Sequence, residues 1–319
     1  MSEIERIKME NPIIVIAGPT ASGKSQLAID LALAMNGVIL NADSMQIYQG
    51  TPILSATPNI KDKQKVEHRL YELFPNNFRS SVVDWLNKIV PEIRSLWGAN
   101  KIPIVVGGTG LYIDNLINGT TPVPETSKEA HKETMRLLSE YGVQNLYKKL
   151  QEVDSLTASR LSENDTTRIR RAYEVWLDTK IPLSVWHKKE MLKKLPEAHF
   201  FVIKIIPDKT ELDERCYLRF DKMIEQGALS EVEKLAKQNL DETLPAMKAL
   251  GVPEILSYLK GETSLDEAVS LAKLHTRQYA KRQLTWFRHK LKADFEIKKC
   301  YQTDDNLIKN IIFNVKNEL

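Results

Sequence analysis

The sequence has only two cysteines, Cys216 and Cys300, with no CxxC pair and no neighbouring histidine cluster. That excludes a disulfide framework and a structural zinc site and leaves two free thiols. It has no apolar run approaching the roughly 18 residues that a bilayer span requires. Its opening stretch, MSEIERIKME, carries charges where a secretory leader is apolar, so a cytoplasmic protein without a membrane partner is expected. A charge excess is lacking too: 45 Lys and Arg against 42 Asp and Glu leave a net charge of +3. Bulk charge cannot hold a polyanion here, and any nucleic-acid contact has to come from local clusters. Repeats and low-complexity segments are also absent. What remains is an ordinary folded composition, 42% hydrophobic and 27% charged. The 319 residues are enough for about two domains, one of which can be inserted in the other.

Residues 12–17, PIIVIA, form a continuous apolar, β-branched run of the kind buried on both faces of a parallel sheet. A Gly-containing turn follows, and then SQLAIDLALAM places Leu27, Leu31 and Ala34 at helical spacing. Further buried strands are expected at 37–41 and 102–106, the latter preceded by a helix over 81–97, which predicts an α/β fold with an open, mostly parallel sheet flanked by helices. Turn formers and prolines gather in NGTTPVPET, 118–126, and residues 127–195 read as charged amphipathic helices. The strand-like HFFVIKIIP at 199–207 restores the sheet pattern. The expected organisation is therefore a core of 1–118 and 198–319 with a helical insertion over 119–197. Long helices are expected at 209–237 and 264–292, and a last amphipathic one at 304–316.

Gly18, Pro19, Thr20, Ala21, Ser22, Gly23, Lys24 and Ser25 fit GxxxxGK[ST] between an expected strand and an expected helix, the nucleotide-binding (ATP-type) P-loop. Its glycines turn successive backbone N–H groups around a phosphate. The helix N-terminus and Lys24 add positive potential, and Ser25 can ligate Mg²⁺. The motif identifies a phosphate site without choosing a reaction. Asp43, in NADSMQIY, follows the second strand at the sheet edge where such folds bind ligands; on spacing alone the alternative to a site residue is an Asx-turn or a helix cap. Gly107-Gly108-Thr109-Gly110 follows the 102–106 strand toward the same crevice, or serves only as a tight strand-to-helix turn.

HTRQYAKRQLTWFRHKLK, 275–292, holds six Arg or Lys residues and no acid. On a helix Arg277, Lys281 and Arg288 share one arc, and Ala280, Leu284 and Phe287 form an adjacent apolar stripe. One stripe packs and the other can bind RNA or a diphosphate. In DTTRIRRAYEVW, 165–176, the residues Ile169, Ala172, Tyr173 and Trp176 face inward, and Arg168 and Arg171 face either solvent or nucleic acid. Arg215 and Arg219 lie four apart on one helical face.

The blocks GPTASGKS, ADSMQIYQG, GGTGLY, NDTTRIRRAYEV and TRQYAKRQLTWFR, in that order, resemble the tRNA dimethylallyltransferase (tRNA isopentenyltransferase) family over nearly the whole chain. The resemblance is to its bacterial kind, without the zinc-finger tail of eukaryotic members. It implies a P-loop NTPase-like core whose helical insertion grips the anticodon stem-loop of tRNA, acting as a monomer with Mg²⁺ on Ser25. It implies that the P-loop holds dimethylallyl diphosphate, not ATP, and that the prenyl group goes to N6 of the adenosine 3′ to the anticodon, position 37. Asp43 is then the general base, Thr109 positions the amine, and Arg215, preferred over Arg219, steadies the departing diphosphate. Contacts to tRNA are implied at Asp43, Ser44, Met45, Gln46, Thr109, His131, Thr167, Arg168, Arg171, Lys248, Gly251, Arg277, Lys281 and Arg282. The chain departs from the family pattern at Leu54-Ser55-Ala56-Thr57-Pro58, where Gly-Thr-Ala-Lys-Pro is common, and at His131, Thr167 and Lys248–Val252. Those positions bear on RNA recognition more than on the reaction. A P-loop kinase, a transferase acting on free adenine nucleotides and a non-catalytic RNA-binding module are the rivals. The long insertion and basic helix argue against the first two, and Asp43 and Thr109 beside an intact Lys24-Ser25 argue against the third.

Overall fold

The computed structural model describes residues 10–318. Its sheet has six strands: β1 (Pro12–Ala17), β2 (Gly37–Asn41), β3 (His68–Arg69), β4 (Ile102–Gly107), β5 (His199–Ile205) and β6 (Phe295–Ile297). They run in the order β3-β2-β4-β1-β5-β6, and every pairing is parallel. The PIIVIA strand is central, with Ile14 opposite both Ile104 and Phe201. Because it is covered on both faces, it has no polar side: Ile13 and Val15 pack with Val105, Trp85 and Phe287 on one face. Ile14 and Ile16 pack with Ile203, Leu27 and Leu31 on the other. Strand order reverses around β1, and the crevice at the carboxyl ends of β1, β2 and β4 is where open α/β sheets bind ligands.

The helix after β1 spans Lys24–Met35; Leu27 and Leu31 are buried in it, but Ala34, expected on the same stripe, is exposed. Helix Val82–Gly98 opens with a capping box between Ser81 and Asp84, which satisfies two of its free N-terminal donors. The expected helix 209–237 is two helices, Lys209–Glu225 and Ala228–Ala236. Gly227 between them takes φ 103°, a conformation that ends a helix and suits glycine. The basic segment forms Leu265–Lys290, and the last helix runs Asp305–Glu318.

The chain divides into two compact units: one up to Ile117 and from Lys194 on, the other Asn118–Lys193. The second is built on Leu146, Leu150, Ile169 and Ala172, with helices Lys128–Val153 and Thr166–Thr179. Gly142, at φ 75° and ψ 172°, interrupts the first of them. The charged block read as helical to 195 is helical only to Trp186, and Leu192 instead bridges antiparallel to Thr120. The second unit runs to Lys193, and Leu195 lies in the sheet's core cluster.

Candidate active site

Residues 18–25 turn from β1 into their helix as a loop held from both sides. Gly23 lies at φ 91°, and a Cβ there would run into the carbonyl of Tyr301. Tyr301 N–H donates to the Ser22 carbonyl at 2.8 Å, so the C-terminal part of the chain braces the loop. Lys24 Nζ donates to the Pro19 carbonyl at 2.6 Å. Burial pushes the Lys24 ammonium down to about 8; the carboxylate of Asp43 opposes that shift and Arg219 reinforces it.

Asp43 is positioned by buried Asn41, which donates from Nδ2 to the carbonyls of Asp43 and Leu70, both at 3.1 Å, and accepts from Asp43 N–H. Asp43 Oδ1 accepts from Met45 N–H at 2.9 Å, so the Asx-turn is present, and it fixes the carboxylate. Oδ2 accepts no hydrogen bond among the described residues and lies where a Cβ on Gly108 would come within 3.2 Å. Thr109 Oγ1 accepts from Ser44 N–H at 2.9 Å and donates to Ser44 Oγ at 3.1 Å, which leaves one lone pair for a substrate donor. Gly107 has to be glycine because a Cβ would overlap the Ala42 carbonyl. The two strand-end turns are thereby packed backbone to backbone.

Two cavities meet at this place. One, about 880 Å³, has Lys24, Ser25, Arg215 and Arg219 beside the apolar Ile53, Leu218 and Met223. The other, about 390 Å³, has Asp43, Lys248, Tyr279 and Arg282 on its walls. Lys24, Ser25, Ala56 and Arg219 border both. Arg215 lines only the larger cavity, and its buried Nη1 has no hydrogen-bond partner, an unspent donor suited to an anion. Burial lowers the pKa of Arg219, and Asp43 opposes that shift. The preference for Arg215 thus meets a neighbour that the helical spacing could not separate from it, since both arginines line the larger cavity and Arg219 also lines the smaller one. No group of three His, Cys, Asp or Glu among the described residues could hold a metal unaided. Ser25 shares its cavities with Asp43 and Asp62. That is an incomplete set of hard oxygen donors, suited to Mg²⁺ completed by phosphate oxygens and water.

The remaining predicted residues fall into different settings. Gln46 is spent internally, donating from Nε2 to the carbonyls of Ser55 and Ala56 at 3.0 and 2.8 Å. Buried Glu231 accepts from Ile53 and Leu54 N–H, so segment 52–56, which borders both cavities, is pinned at both ends. Met45 packs against the core, and Gly251, at φ 90°, is a turn glycine packed against Leu54 and Phe220. Arg277 is half-buried and Lys281 exposed on the basic helix; Arg282 lies over the Tyr279 ring at 5.7 Å. Within the second unit Thr167 is exposed and Arg168 is largely exposed, 3.3 Å from Asp165. His131 Nδ1 lies 2.9 Å from Glu174. Arg171 donates to Thr126 Oγ1 at 2.8 Å and to the Pro124 carbonyl at 3.3 Å, which ties down the chain entering the Lys128–Val153 helix. Sequence reasoning missed Gln283, whose amide bridges two of the loops; its only signal was a polar residue on an apolar stripe.

The family model for IPP transferase matches residues 46–290. The chain is 43% identical to the tRNA dimethylallyltransferase of Rhodospirillum centenum over 282 residues, 88% of this chain and 90% of that one. It is 41% identical to that of Zymomonas mobilis, covering 94% and 91%. Among solved structures, the tRNA isopentenylpyrophosphate transferase of Staphylococcus epidermidis has a TM-score of 0.69 at 31% identity, covering 97% of this chain and 100% of that one. A eukaryotic dimethylallyltransferase acting on tRNA has a TM-score of 0.74 at 28% identity, covering 87% of this chain and 70% of that one.

Proposed function

The chain belongs to the IPP transferase family, and from that membership, together with the two cavities meeting at Lys24, we infer that it transfers a dimethylallyl group to an adenosine of tRNA. The donor is dimethylallyl diphosphate and the acceptor N6 of the adenosine at position 37. The larger cavity takes the donor: its basic edge at Lys24, Arg215 and Arg219 suits the diphosphate, and Ile53, Leu218 and Met223 suit the five-carbon tail. The smaller cavity takes the adenine against Asp43. The observation that carries this reading is that Lys24 and Asp43 line one cavity, so an anion-holding group and a proton acceptor border the same space.

An exocyclic adenine amine is a weak nucleophile because its lone pair is delocalised into the ring, and removing its proton during attack lowers the barrier. The N6–C1 bond forms as the C1–O bond to diphosphate breaks. The proton passes from N6 to Asp43 Oδ2, and the electron pair of the broken bond leaves with the diphosphate. Thr109 Oγ1 offers its free lone pair to the second N6 hydrogen and so orients the amine. Lys24, the loop amides, Arg215 and Arg219 are preorganised for the charge that grows on the leaving group. Ser25 Oγ would help hold Mg²⁺, which when bound would supply further neutralisation of that charge. The basic helix at Arg277, Lys281 and Arg282, and Arg168 of the second unit, hold the RNA backbone.

The test is nucleoside mass spectrometry of tRNA incubated with the full chain, Mg²⁺ and dimethylallyl diphosphate. Prenylated adenosine at position 37 is expected. Unmodified tRNA accompanied by ATP turnover would replace this reading with that of a kinase.

A further inference from the structure

Gln283 lies on the packed face of the basic helix, beside Ala280, Leu284 and Phe287, and is itself 7% exposed. A primary amide buried in that place destabilises the fold unless both its ends are bonded. Both are. Oε1 accepts from Thr20 N–H at 2.8 Å, and Nε2 donates to the Gly108 carbonyl at 2.8 Å. Each partner is a backbone atom, so neither bond depends on the side chain at 20 or 108.

The two loops joined in this way carry the two halves of the reaction. Thr20 belongs to the turn that presents Lys24 and Ser25. Gly108 precedes Thr109, and a Cβ on it would come within 3.2 Å of Asp43 Oδ2. Apart from the sheet itself, the Gln283 amide is the bridge seen directly between the diphosphate loop and the Asp43–Thr109 turn among the described residues. The tie also withholds Thr20 N–H from the substrate, leaving the diphosphate to the later amides of the loop.

Resting on the transfer reaction inferred above, we propose that Gln283 is a positioning residue that sets the separation of the diphosphate loop from the general base. It thereby sets the alignment of the attacking nitrogen with the departing oxygen. In-line displacement needs the reacting atoms about 3–3.5 Å apart, and a misplacement of about 1 Å costs about 10²-fold in rate. Each substrate is bound mostly by groups on one side of the tie, so loosening it slows transfer without weakening either substrate.

The experiment uses the full chain and two variants. Gln283→Met fills the same volume with neither donor nor acceptor. Gln283→Glu keeps an acceptor for Thr20 N–H but turns a carboxylate toward the Gly108 carbonyl and Asp43. Single-turnover transfer at saturating substrates is measured alongside equilibrium binding of dimethylallyl diphosphate and of an anticodon stem-loop RNA. The expected result for both variants is binding of each substrate within about threefold of wild type and transfer slower by about 10²-fold. Wild-type transfer by Gln283→Met, or a rate loss that disappears at higher substrate concentration, overturns the proposal. If Gln283→Met fails to fold, Gln283→Glu decides on the same criteria. Wild-type protein that does not prenylate tRNA at all overturns the reaction itself, an outcome separate from either result for the variants.

Discussion

Lys24 is the phosphate-loop residue whose protonation the surroundings alter, and the perturbation that reads it is pH. Burial holds its ammonium near 8, where an ordinary lysine titrates at 10.5. In the free enzyme Lys24 is therefore about 90% charged at pH 7 and about 10% charged at pH 9. A phosphate monoester loses its last proton with a pKa of about 6, so from pH 7 to pH 9 the charge of dimethylallyl diphosphate changes by only about a tenth. If the ammonium form binds it, the apparent Kd rises about tenfold from pH 7 to pH 9. Saturating diphosphate, which favours the charged form, removes most of the effect from the rate at high substrate. Stability runs the other way without ligand: the unfolded chain binds the extra proton between about pH 8 and 10.5, so the fold gains stability as pH rises through that window. Titration of diphosphate affinity by calorimetry at several pH values measures the first effect. Lys24→Arg, whose guanidinium does not titrate there, should give a flat profile whatever its absolute affinity. A flat wild-type profile, or the same tenfold loss in Lys24→Arg, would show that the Lys24 proton does not govern the site.

Asp43→Asn keeps an oxygen for Met45 N–H and so preserves the turn, but it cannot take the N6 proton. Single-turnover transfer should slow by about 10² to 10⁴ with tRNA affinity retained, and an unchanged rate would remove Asp43 from that role. Arg277→Ala and Arg168→Ala should each flatten the dependence of log tRNA affinity on log salt by about 0.7, as expected when one contact to locally single-stranded RNA is lost; normal slopes would put both residues off the RNA. Gly107→Ala drives a methyl into the Ala42 carbonyl and should destabilise the fold by about 1–3 kcal/mol, read as a lowered denaturation midpoint. A midpoint equal to wild type would mean that the two turns are less tightly packed than described.

The core was legible because PIIVIA, GVILN and IPIVV are continuous apolar runs, which only a strand buried on both faces requires. β3 and β6 were not, since two and three residues carry no period. The break at Gly227 could have been read from a glycine inside a helical pattern, but the pattern on either side continued in phase. Spacing placed Arg215 and Arg219 on one face and stopped there; which cavity each reaches depends on how that helix packs. Gln283 shows the limit most clearly. Its polarity on an apolar stripe marked it as unusual, but its partners are 263 and 175 residues away, and nothing local in the sequence names them.

The placement of β1 between β4 and β5 also fixes an order of events on the ribosome. The strand that leads into the diphosphate loop emerges early, yet one of its two neighbours lies beyond the whole of the second unit. At about 5–20 residues per second, His199–Ile205 follows roughly 10–40 s later. Throughout that interval the PIIVIA strand has an open edge, while Asn118–Lys193, a compact unit with a core cluster of its own, can fold first. Among the strand pairings of the sheet, β1 with β5 is thus the one whose second member is synthesised longest after the first.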